Sequence, residues 1–395
     1  MNNLKLSALI MMIFSSANAL AANETAYGSG ATASGDNSTA YGTVATASGE
    51  NSTAVGVLST ASGQWATATG IVSQATGDFS TAVGANAQAT GSNSTATGYT
   101  ARAFGENSTA TGNQSYATGV NSTATGMIAQ ATGVSSTATG VDAQATADYS
   151  TATGMGSRAT GTNSTANGFA STASGFNSSA YGNQSHATND NTTAVGQASL
   201  ASGVNSSALG AGSIASNDWT ASYGANSTAS GFASTAIGQG SSVSGNFATA
   251  LGKDASANAD NSVALGANSV ANRINTVSVG SAGAERQITN VAAGTYGTDA
   301  VNVNQLRSVE HKLAAGVASS MAMTPATIAP GKTSAIALGT GYYDGSSALA
   351  LSAAHIINDN LVINGAVSYG FNSGNSTVLG NSSDVGARAS LSYSF

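Results

Sequence analysis

A glycine stands at every fourteenth position from Gly28 to Gly280, nineteen in succession with no slip of register. A second set follows seven residues after the first, at Gly35, Gly49, Gly63, Gly77 and Gly91, and is replaced by Ala147, Asn189, Asn217, Ala259 and Arg273 in the repeats that lack it. A fixed period held over so many copies means one structural unit stacked on itself, each copy covering a face that its neighbour cannot bury alone. A catalytic loop would interrupt such a ruler, and no insertion does.

The pattern inside the repeat gives its shape. Positions two and four before the invariant glycine, and three and five after it, hold small residues, as in Ala40, Ser38, Ala45 and Ala47 around Gly42; Val243 is the large exception. Side chains alternate faces along a strand, so each repeat reads as two short strands that turn a small face inward. Glycine or asparagine at the corners is expected to supply turns with positive φ. The expected form is a narrow parallel β-roll, one coil per fourteen residues. An interior of alanine and serine is a weak source of stability, since a buried methylene is worth only about 0.8 kcal/mol. Burial on an outer face is therefore expected as well. The more apolar outer face carries Val263, Leu265, Val277 and Val279, and these are read as contacts between copies of the chain.

Composition then decides between classes. Only 7% of residues are charged, which fits disorder as well as a repeat, but disorder gives no reason to hold a register. The formal charge of -7 offers no basic stripe for phosphates, so no nucleic-acid partner is expected. Without cysteine there is no disulfide or thiolate metal site. Lys5, the apolar run Leu6 to Phe14 and the small residues after it read as a signal peptide over 1–21, with cleavage favoured after Ala21 over Ala19.

The last part of the chain changes period. Four runs alternate apolar and small or polar residues: about Ser334 to Tyr343, Ser347 to Ile356, Leu361 to Phe371 and Val385 to Phe395. Each has about the ten residues that a tilted membrane strand needs. Four strands cannot close a barrel, and open edges in lipid leave backbone groups unpaired. Two copies would give eight strands and three would give twelve; the other reading is a soluble four-stranded meander. Between roll and strands, Leu306, Val309, Leu313 and Gly316 space out a short helix from about Val303 to Met321, which Pro325 and Pro330 end. Leu306, Val309 and Leu313 are read as its contact with sister helices.

These parts together resemble the YadA-type trimeric autotransporter adhesins. The head repeat of that family is similar to Asn261-Ser262-Val263-Ala264-Leu265-Gly266, and its neck to Ile288 through Gly294 with Thr298 through Leu306. The resemblance implies a homotrimer with a twelve-stranded outer-membrane pore through which its own head is exported. It implies outer-membrane lipid, the outer-membrane assembly machinery and a host matrix or cell-surface protein as partners, and no cofactor. The expected domains are a head at 22–284, a neck at 285–305, a short helix and linker at 306–331, and anchor strands at 332–395. Ser352, at an anchor position often held by glycine in the family, and Arg388 are expected to face the pore. The long stalk of the family is nearly absent. Its Val/Ile pair is mostly a threonine pair here, from Thr95/Thr97 to Thr151/Thr153, so a weaker interface is expected there.

Several motifs carry no chemistry. Gly331-Lys332-Thr333 lacks the first glycine of a phosphate loop, since Ala326 stands there. His186, His311 and His355 fall in three separate elements, so no catalytic or metal residues are assigned. Trp65, Phe79, Tyr149, Trp219 and Phe247 replace the corner asparagine, either as corner packing or as ligand contacts. The ranked threonines leave one rival to adhesion, an ice- or crystal-binding array. An enzyme is not expected.

Overall fold

A computed structural model describes residues 23–372 and 384–394. The expected signal peptide, residues 373–383 and Phe395 lie outside the described residues. The chain divides into two compact units between Arg286 and Gln287.

The first unit is the roll. Each coil carries a three-residue strand and a two-residue strand, as in Thr39–Tyr41 and Thr46–Ala47. Equivalent strands of successive coils pair in parallel and in register, Thr95 beside Thr109 and Thr109 beside Thr123. The three-residue strands, with Val277–Ser278 at the end, build a 19-stranded sheet. The N–H of Thr39 donates to Ser52 O at 2.9 Å, and that of Gly56 to Tyr41 O at 2.8 Å, so the bonds run from coil to coil.

The interior is as thin as the repeat demands. Ala40, Ala54 and Ala68 are fully buried, and Val243 is the largest side chain fully enclosed. A slip by one residue would turn threonines and tyrosines into a space that fits a methyl group, which fixes the register. Some buried hydroxyls find partners locally, Ser59 Oγ donating to Gly56 O at 2.9 Å and Ser222 pairing with Ser227 at 2.8 Å, while others such as those of Ser38, Ser52 and Ser94 make no hydrogen bond.

The corners differ from the expectation in two ways. The invariant glycines from Gly28 to Gly266 are left-handed, Gly28 and Gly126 both at φ 133°, and so are corner asparagines such as Asn93 at 56°. The second glycine set is not left-handed. At Gly49 and Gly63 a Cβ would strike the carbonyl of the glycine one coil further on, so glycine is needed there for close approach of backbones. A further corner, two residues after the invariant glycine, is left-handed in coil after coil, including at Val44, Leu58 and Ile128. Residue type marks it in some coils, as at Gly30, Asn86 and Gly156, and not at Val44, Leu58 or Ile128. The roll ends on Arg286, whose guanidinium donates to Val279 O at 2.7 Å, to Ser269 Oγ at 2.8 Å and to Ala267 O.

The second unit holds a helix, Val303–Ala322, and a four-stranded antiparallel meander. The strands are Ser334–Tyr343, Ser346–Asn358, Leu361–Asn372 and Asp384–Tyr393. Asp344 and Gly345, at φ 45° and 77°, form the tight turn between the first two.

Candidate functional sites

One face of the meander carries the helix. Exposure alternates strictly: Leu349, Leu351 and Ala353 point out, while Ser346, Ala348, Ala350, Ser352 and Ala354 are covered. The covered face is small because helix backbone lies on it. A Cβ at Gly339 would strike Ala322 O, one at Gly341 would strike Ala318 O, and one at Gly370 would meet Ser319 Oγ. The helix answers with its own small side, Ala314, Ala315, Ala318, Ser319 and Ala322. Sequence reading found the large stripe of this helix and missed the small one. Spacing points to leucines, whereas a run of alanines signals contact only once a glycine-lined partner is known.

Leu306, Val309 and Leu313 occupy another side of the helix and stay 64–69% exposed. Ser352 and Arg388 both lie on the helix-bearing face. Ser352 Oγ donates to Ala337 O at 3.3 Å. Arg388 Nη1 donates to Met323 O, the C-cap residue, at 3.2 Å. No basic residue stands in the last turn of the helix itself, so Arg388 supplies the cation that its carbonyl end favours. The opposite face of the meander is apolar and open, with Ile336, Leu338, Leu351, Val385 and Leu391 well exposed.

The helix start is built by the neck. Asn302 caps it by accepting from Gln305 N at 3.1 Å, and its Nδ2 donates to Val291 O at 3.1 Å. Asp299 accepts from Thr295 N at 2.8 Å and Tyr296 N at 2.9 Å. The Tyr296 bond first, then that of Thr295, holds the Asp299 carboxyl below its ordinary pKa.

On the roll, Trp65, Phe79, Tyr149, Trp219 and Phe247 all sit at left-handed corners with φ between 55° and 60°. All are 55–62% exposed, so corner packing does not consume them. Phe247 makes an edge contact with Phe232 at 5.5 Å. Phe79, Tyr149 and Trp219 recur every 70 residues, or five coils, each after an aspartate. That aspartate accepts the N–H one coil back: Asp78 from Gln64, Asp148 from Val134, Asp218 from Val204, at 2.8–2.9 Å. At a sheet spacing of about 4.8 Å the three aromatics stand roughly 24 Å apart on one corner. On the strand face, Val263 and Val279 are partly covered, and Leu265 and Val277 are exposed. The threonine ranks run in register from Thr95 to Thr151 and from Thr97 to Thr153.

Among the described residues no group of acidic or histidine side chains could hold a metal. His355 Nδ1 pairs with Ser334 Oγ at 2.8 Å, far along the chain from His186 and His311.

Comparison with known proteins gives three family matches. The YadA head domain repeat matches in fourteen stretches between residues 25 and 282. The coiled stalk of trimeric autotransporter adhesin matches at 287–320, and the YadA-like membrane anchor domain at 326–395. Among solved structures, the collagen-binding domain of the Yersinia adhesin YadA is 27% identical, with 59% of this chain and 84% of that chain covered and a TM-score of 0.18. A comparison with curated proteins gave no match.

Proposed function

The chain belongs to the YadA-like trimeric autotransporter adhesins, and from that premise we propose that three copies close one twelve-stranded pore, export their heads through it and bind host matrix or cell-surface proteins, or the heads of other cells. It is a surface adhesin whose C-terminal domain anchors it in the outer membrane and whose head is exposed outside. One observation carries the proposal. Among the described residues the first and last strands of the meander each pair on one side alone, while one sheet face is apolar and open. In lipid each unpaired backbone group costs several kcal/mol, so the edges call for strands from other copies. The apolar face then meets lipid, and the small face with its helix lines the lumen. Insertion of such strands is work for the outer-membrane assembly machinery.

The exposed corner aromatics support a binding role for the head, because large rigid side chains in solvent favour contact. Repetition along the rod lets many weak contacts act together. Deletion of residues 22–284 should abolish matrix binding and cell clumping while the anchor still inserts. Adhesion unaltered by that deletion would refute the head as binder.

A second reading rests on the in-register threonine ranks, whose flat hydroxyl array fits an ice or crystal surface. Thermal hysteresis of the purified head would support it, and none would eliminate it.

A further inference from the structure

From the coil of Thr97 to that of Val279 the apolar surface of the roll changes sides once; in the coils before Thr97 the strand face is apolar at Tyr27, Tyr41, Val55 and Val83. From Tyr181 to Val279 every coil places a large apolar residue just before the invariant glycine, as in Val195, Leu209 and Ile237. In the six coils before that, from Thr97 to Asn167, the same position holds threonine or asparagine. The corner just after the glycine behaves in the opposite sense. Tyr99, Met127, Val141, Met155 and Phe169 stand there in five of those six coils, all exposed. From Asn183 onward that corner holds nothing apolar larger than alanine. The exchange is complete within one coil, between Phe169 and Tyr181.

The next position along the chain is strained in places where the core gives no reward. The position after each corner residue is left-handed from Gly30 to Asn268. In the later coils it is filled by Gly212, Asn226, Gly240 and Asp254, types that adopt this conformation readily. In the six earlier coils Asp142 and Gly156 do the same, but Ile128 takes it at φ 61°, a conformation that β-branched residues resist. The Ile128 side chain is exposed, so no core rewards it.

Copies of a trimeric adhesin must meet along their heads, and an apolar column marks where. We propose that the seam between copies follows the strand face from Tyr181 to Val279, then crosses between Tyr181 and Phe169 to the corner after the invariant glycine, leaving the Thr95–Thr153 ranks open to solvent. This rests on the trimer proposed above. The occupant of the corner column is a second copy of this chain, because the column begins in the coil where the apolar strand face ends. A surface for a foreign ligand would have no reason to start there. The threonine ranks become a flat hydroxyl surface on the outside of the assembled head, available to a ligand rich in hydrogen-bonding groups.

The chain has no cysteine, so single cysteines report without background. Val141→Cys, Thr139→Cys, Leu209→Cys and Ala211→Cys are each made in the full chain, in outer membranes, and treated with a short bis-maleimide. Val141→Cys and Leu209→Cys should shift from single chains to linked pairs on denaturing gels, with Thr139→Cys and Ala211→Cys left as single chains. Linking at Thr139 and not at Val141 would mean a straight seam and overturn the proposal. Linking at Leu209 and at neither Val141 nor Thr139 means that the heads part above Phe169, which overturns it as well. Absence of linking at Leu209 itself would sink the strand-face trimer on which the proposal stands, and so is told apart from the other two failures.

Discussion

The Gln305 side chain pairs with the backbone of Gly294 in both directions, its Nε2 donating to Gly294 O and its Oε1 accepting from Gly294 N, each at 2.9 Å. The same Oε1 accepts from Asn302 N at 3.3 Å and completes the capping box. One side chain thus ties an irregular loop to the first turn of the helix.

Gln305→Ala should leave both Gly294 groups without this partner and cost about 1–3 kcal/mol of local stability. Hydrogen exchange at the Gly294 amide should quicken accordingly. Gln305→Glu keeps the acceptor and loses the donor, so its exchange should fall between the two. Equal exchange in all three proteins would show that the clasp does not hold the neck.

Val263→Lys or Leu265→Lys should disrupt association of the heads. Both side chains lie on the outer strand face, where the fold of a single chain leaves Leu265 exposed, so a lysine there is compatible with the coil. In an interface between copies the ammonium would lose its water without gaining a partner. Mass measurement in mild detergent reads the outcome, and unchanged oligomer size in both variants counts against this interface.

Arg388→Met should free the end of the helix. It removes the bond to Met323 O and the cation at the carbonyl end, while leaving a side chain of similar length. Proteolysis and amide exchange should increase around Met323 and Thr324, with the meander still inserted. Arg388→Lys, which retains the charge, should lie between. A variant as protected as the parent would mean that the glycine-lined contacts hold the helix without the arginine.

Acid should loosen the turn at Asp299. Its carboxyl is held below the ordinary value of 3.8 by N–H donors that the unfolded neck lacks. A depressed folded pKa stabilises fully above the unfolded value, and the stabilisation fades as pH falls through the folded one. Protection of the Thr295 and Tyr296 amides should therefore drop once pH falls below about 3.8. Asp299→Asn should be less protected at neutral pH and lose this acid step. A step of the same size in the variant would assign it to another group.

The meander was legible almost residue for residue. Alternation of large and small side chains is a local consequence of strand geometry, and it needs no partner to be read. The anchor-face position of Arg388 follows from the same alternation, but its contact with Met323 joins residues 65 apart and required the fold. The helix shows the limit more sharply. Leu306, Val309 and Leu313 announced themselves by spacing, yet the side that packs within the chain is the alanine side, because Gly339 and Gly341 let backbone meet backbone.

The fourteen-residue ruler fixed the roll, its inward alanines and its register by itself, since a small residue repeated at one phase leaves a stacked chain only one way to face inward. Three-dimensional packing alone decided why Gly49 must be glycine, where Arg286 closes the last coil, and that Val44 and Ile128 bear a left-handed backbone. Those depend on distances between coils and on dihedral angles, and a residue's type does not state either.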